Sequence, residues 1–191
     1  MRTNTHLSLI GAPTDIGAAS RGASMGPEAL RVANILPVLQ GHGLEVLDRG
    51  NLVGPTNPWL PATGGYRHLA EVAAWNRTVH DAVLAELRLN RLPVLLGGDH
   101  CLGIGSISAV ARHCRETGQR LRVLWLDAHA DFNTQRADPQ RQPPRHAGGL
   151  PVRTWTEGID RAQRPGAGHQ SQVGAPDRHP QRRRRREAFR A

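Results

Sequence analysis

The apolar residues form short unbroken runs that alternate with segments of helical spacing. Leu7–Ile10 is an apolar run closed by Gly11 and Pro13, as in a buried strand. Pro27–Gln40 places Leu30, Ala33, Ile35, Leu36 and Leu39 at helix-like intervals, with Pro27 suited to a first turn. Leu44–Leu47 reads as the next strand. Asn51–Gly65, rich in proline and glycine, reads as a long loop. Tyr66–Asn90 predicts a long amphipathic helix with Leu69, Val72, Ala73, Val79, Val83 and Leu87 on its inner side. Leu92–Leu96 is another buried strand, ended by Gly97 and Gly98. Ile104–Cys114 predicts a helix and Leu121–Leu126 a further strand. Strands apolar on both faces that alternate with helices imply an α/β fold, a three-layer parallel sheet with helices on both faces. Ligands of such sheets bind beyond the carboxyl ends of the strands, so chemistry is expected after Leu96 and Leu126.

The pattern stops at Thr134. Residues 1–134 read as an ordered but incomplete α/β domain. Residues 135–191 have almost no apolar periodicity and are rich in Arg, Pro, Gln and Gly, so disorder is expected there. Charge divides at the same point. The chain has no lysine; residues 1–134 hold 12 Arg and 11 acids (+1), and residues 135–191 hold 13 Arg and 5 acids (+8). The basic excess therefore describes the tail. A nucleic-acid role for Arg182–Arg186 is a competing reading, since such a run could neutralise phosphates. It is disfavoured, because the tail has few aromatics beyond Trp155 and Phe189 and no nucleic-acid module. No stretch reaches the roughly 20 apolar residues of a membrane span, and the first ten residues do not form a secretory apolar region. Cys101 and Cys114 make neither a disulfide framework nor a zinc-type pair. A soluble, cytoplasmic protein is expected.

Two polar clusters follow the two apolar strands: Gly97-Gly98-Asp99-His100, and Asp127-Ala128-His129-Ala130-Asp131 before Phe132-Asn133-Thr134. In an extended segment, residues two apart share a face, so Asp127, His129 and Asp131 project together. Ionisable groups gathered at the end of an apolar strand call for a cation. Carboxylates with imidazole and no thiolate favour a hard divalent ion such as Mn2+, and a bridging carboxylate would suit a pair of ions sharing an activated water. The two strands are expected to be neighbours.

Residues 7–134 resemble the arginase family. The resemblance rests on Gly11-Ala12-Pro13, on Arg21-Gly22-Ala23-Ser24-Met25-Gly26-Pro27-Glu28-Ala29-Leu30-Arg31, and on the GGDH and DAHAD motifs. It implies two manganese ions, with His100 and Asp131 on one, His129 on the other and Asp127 bridging both. It also implies an electrostatic catalytic role for Asp131. Cys101 stands where the family usually has serine. Asn133-Thr134 resembles arginases, in which this asparagine holds the α-carboxylate of L-arginine. The implied reaction is hydrolysis of L-arginine to L-ornithine and urea, by a homo-oligomer if the protein is intact. An agmatinase or guanidinobutyrase type of amidinohydrolase is the alternative.

The family's later segments, Ser-Gly-Asn-x-His-Gly and Asp-x-Asp, are not readable after Thr134. Reading the codons of Gln135–Glu157 one nucleotide later, with wobble positions open, permits SALTPSGNLHGMPVACLCGHGPK throughout. That string contains the first missing segment at the expected distance from Asn133. The expectation is therefore a frame slip at codon 135, and an inactive product if the chain is made as written.

Overall fold

Three parallel strands, two short helices and two long ones make up the ordered framework of the computed structural model, which describes residues 6–63 and 67–127. The strands are β1 (His6–Ala12), β2 (Glu45–Asn51) and β3 (Leu92–Gly97), in the order β2-β1-β3. Leu7 stands level with Val46 on one side and Leu92 on the other. The central strand is buried from Leu7 to Ala12, as its unbroken apolar run demands. The helices are α1 (Gly26–Val32), α2 (Ile35–Gly41), α3 (Leu69–Arg88) and α4 (Gly103–Glu116). Among the described residues, no helix is long and apolar enough to cross a membrane.

The core lies where α3 and α4 cover one face of the sheet. Ile10 and Ala12 of β1 meet Val72, Trp75, Val79, Val83 and Leu84 of α3, with Leu102 and Ala109 closing the cluster. Val72, Val79 and Val83 are inward as predicted, whereas Leu69, at the first position of the helix, is half exposed. Two buried polar residues anchor α3. The Asn76 amide donates to Val72 O at 2.9 Å, and its oxygen accepts the Gly105 N–H at 2.6 Å, which fastens α3 to the first turn of α4. Near the start of the strands, Glu86 is 2% exposed. It accepts from Ser8 Oγ at 2.6 Å and Arg49 Nε at 2.9 Å, so its charge is buried with partners.

On the other side, α1 and α2 replace the single helix expected over Pro27–Gln40. The break is at Asn34, which adopts the left-handed conformation with φ 61°. Asparagine tolerates that region better than most residues. Pro37 explains the need for it: a proline deep in one helix would remove a hydrogen bond and clash with the preceding turn. With the helix restarting at Ile35, Pro37 falls in a first turn, where its missing N–H has no cost. Arg31 of α1 reaches β2 through a two-point contact with Asp48, Nε–Oδ2 at 2.8 Å and Nη2–Oδ1 at 2.9 Å.

The strand expected at Leu121–Leu126 is not formed. Residues 121–127 have no regular structure, and Leu124 and Leu126 are 83% and 86% exposed. A strand exists only through its neighbours, and this segment finds no partner strand among the described residues. The clusters after Leu96 and Leu126 are therefore not carried on adjacent strands.

Hydrogen bonds from Arg31 hold the Asp48 carboxyl below its ordinary value of 3.8, and the Gly50 N–H adds to the effect against burial. A lowered carboxyl pKa stabilises the fold at neutral pH, and that contribution disappears as pH falls through the folded-state value. Arg31→Met should lose about 1 kcal/mol at pH 7, the scale of a partly solvated ion pair. Urea denaturation at pH 7 and at a series of pH values below 3.8 checks this: the two proteins should differ at pH 7, and the difference should narrow as the pH falls.

Candidate metal centre

The end of β3 is pressed against the end of β1. Gly98 has φ 89°, and a Cβ there would collide with the carbonyl oxygens of Ala12 and Thr14, so both the conformation and the close approach require glycine. Immediately afterwards, Asp99 N–H donates to Thr14 O at 2.9 Å. The Asp99 carboxylate then accepts the Cys101 N–H at 3.2 Å and the N–H of Gly17. It thereby caps a short 3-10 turn, His100–Leu102, and straps that turn to the loop that follows β1. Asp99 is thus a strut rather than a ligand, and its hold on the backbone fixes where His100 starts.

His100 emerges from this turn with its side chain about half exposed, and its Nδ1 lies 3.3 Å from Asp127 Oδ2. The ring of Trp125 packs edge-on against it, with centroids 5.0 Å apart. Two of the four residues expected to bind metal are therefore brought together at the carboxyl end of the sheet, although Asp127 arrives on a segment without regular structure. His129, Asp131 and Asn133 lie outside the described residues. Among the described residues, no group of three or more His, Cys, Asp or Glu side chains is placed to hold an ion.

The donor set fits a hard divalent cation. Their separation of 3.3 Å is longer than an ordinary N–H···O bond, and the pair would supply two of the donors that hold such an ion. Cys101, next to His100, is 2% exposed and belongs to the core. Burial, with the Asp99 charge adding to it, pushes its thiol well above the usual range. It therefore stays a thiol and supplies no thiolate to the site. The serine-to-cysteine departure is accommodated as a small apolar filling.

Sequence reasoning missed the residues that organise this end of the sheet. Asp15 is 8% exposed, and Asn57 Nδ2 donates to its carbonyl at 2.8 Å. His68 Nδ1 lies 2.8 Å from Ile16 O. Trp75 Nε1 donates to Pro55 O at 2.8 Å. Together these hold the long loop that follows β2 over the ends of β1 and β3. The signal available was the signature stretch from Pro13 to Pro27, which carries both the strand end and its first polar residues.

Comparison with known proteins agrees with this architecture. The Arginase family model matches residues 5–188 and so takes in the stretch beyond Thr134 as well as the motifs. An arginase of Brevibacillus brevis is 35% identical over 136 residues, covering 71% of this chain and 44% of that protein. An arginase of Agrobacterium fabrum is 38% identical over 127 residues, covering 66% and 39%. The crystal structure of Bacillus caldovelox arginase superposes with a TM-score of 0.62 at 36% identity, covering 70% of this chain and 44% of that one. The chain thus spans less than half the length of these relatives. A parallel α/β sheet, a His–Asp pair at its carboxyl end and a family match along nearly the whole sequence agree: the chain belongs to the arginase family.

Proposed function

We propose that the gene specifies a manganese-dependent arginase that hydrolyses L-arginine to L-ornithine and urea, and that the 191-residue chain as written lacks this activity. The observation that carries the reading is the meeting of His100 Nδ1 and Asp127 Oδ2 beyond β3. In this reading His100 and Asp131 would hold one ion and His129 the other, with Asp127 a ligand shared between them. When bound, the ions supply a hydroxide nucleophile at neutral pH. The protein's part is to fix the ligands and receive the substrate. Asn133 holds the α-carboxylate, which orients the guanidinium carbon, and Asp131 stabilises that carbon electrostatically as it becomes tetrahedral. Addition of the hydroxide oxygen forms a C–O bond to that carbon, the bond to the side-chain nitrogen then breaks as the added hydroxyl's proton passes to the leaving amine, and ornithine and urea separate.

Two observations support inactivity of the literal chain. Four ligands are few for two ions, and the apolar segment from Val123 to Leu126 is exposed, which invites association. The frame slip at codon 135 accounts for both. The family match runs on to residue 188, so the frame must be tested on the nucleotide sequence.

Resequencing codons 130–160 should reveal a shifted frame that restores the Ser-Gly-Asn-x-His-Gly segment; an unchanged frame excludes the slip. The mass-verified 191-residue chain with Mn2+ should release no urea from arginine, and detectable release overturns the inactivity. The frame-restored protein should release urea from arginine but not from agmatine. Urea from agmatine alone would move the assignment to an agmatinase.

In the restored protein, Asp99→Asn should cost roughly 10–100-fold in activity or metal affinity, as removal of a group supporting a ligand does. Asp127→Asn should cost more. Equal losses, measured by urea release and manganese titration, would contradict the distinction between strut and ligand.

A further inference from the structure

A second site lies beside the metal-binding end of the sheet, in a cleft of about 400 Å³ between the loop after β1, the loop after β2 and the side of α3. This volume suits a molecule the size of an amino acid. Its walls carry two opposite charges. Asp15 is more than nine-tenths buried, yet its carboxylate has only neutral partners, all at the long limit of hydrogen bonding: Gly22 N, Ser24 Oγ and Asn57 Nδ2, each at 3.3 Å. Arg21 lies over the ring of Trp59, its guanidinium carbon 4.9 Å from the ring centroid. Among the described residues, neither charge is paired with the other.

A buried carboxylate without a cation is costly unless a positive group reaches it. A ligand with only a positive charge would answer Asp15 and ignore Arg21. A simple anion would answer Arg21 and face Asp15 across the same space. A molecule carrying both charged groups on one carbon satisfies both walls, and the indole of Trp59 can cover the methylenes of its side chain. We propose that this cleft binds the zwitterionic head group of an α-amino acid, its carboxylate on Arg21 and its ammonium on Asp15. The site uses none of the metal-binding residues, so it stands whether or not the protein hydrolyses a guanidinium.

The test uses the 191-residue chain with excess EDTA, so that no binding at a metal centre contributes. L-Ornithine is titrated by equilibrium dialysis, with tryptophan fluorescence followed in parallel. Putrescine, which lacks the carboxylate, and 5-aminopentanoate, which lacks the α-ammonium, are the paired controls. L-Ornithine should bind saturably, and each control about tenfold or more weakly, the ratio expected when one charged contact is lost. Asp15→Asn disturbs three contacts, two with the loop after β1 and one with the loop after β2, so the decisive variant is the exposed Arg21→Gln. It should weaken L-ornithine about tenfold and leave putrescine unchanged, while Arg21→Lys should recover part of the loss. Equal binding of the three compounds, no saturable binding of L-ornithine at millimolar concentration, or an Arg21→Gln protein that binds like the parent would overturn the proposal.

Discussion

Everything at the carboxyl end of this sheet depends on how the chain leaves β3. Gly98 allows the end of β3 to approach the end of β1 too closely for any side chain, and Asp99 then fixes that approach with both its backbone and its carboxylate. The backbone bond to Thr14 settles the register between the two loops. The carboxylate gathers N–H groups from Gly17 and Cys101, which would otherwise end the strand unsatisfied. His100 is the next residue, so its orientation is a consequence of this closure. The same loop after β1 carries Asp15 onward into the neighbouring cleft. One carboxylate thus sets the position of the His100 imidazole and steadies the loop that carries Asp15.

The opposite end of the sheet is held differently. There Glu86 is buried among Ser8 and two arginines, Arg49 at 2.9 Å and Arg91 at 3.4 Å, whose side chains remain partly in water. Such a cluster ties α3 and the strand that follows it to the start of the sheet. It offers nothing for a ligand, because its carboxylate is already satisfied by cations. The contrast with Asp15 is informative: two buried carboxylates in one domain, one with positive partners and one with only neutral donors at long distances. It is the second that has unused capacity.

How much of this was legible in the sequence varied with the kind of information each element needs. β1, β3, α3 and α4 were readable because their apolar pattern is set by burial on the side they present. The division of α1 from α2 was equally written in the chain, at Asn34 and Pro37, but apolar spacing alone masks it. Leu121–Leu126 shows the limit of local reading. Its composition suits a buried strand, yet pairing is a property of the neighbours, and it pairs with none of the described strands. His100 and Asp127 were legible as motif residues. Asp15 and Arg21 were not legible as a site, because they belong to no ligand-spaced motif and meet only through the loop after β2.

The account's central claim is that the end of β3 and the segment ending at Asp127 together bind a divalent ion. Electron paramagnetic resonance of Mn2+ added to the 191-residue chain tests it most directly, since free hexaaqua manganese gives a sharp signal that binding broadens. The account predicts weak but specific loss of the free signal, reversed by excess EDTA and markedly diminished in both His100→Ala and Asp127→Ala. A free-ion signal equally reduced by the parent and by both variants would show that manganese binds elsewhere and would contradict the claim.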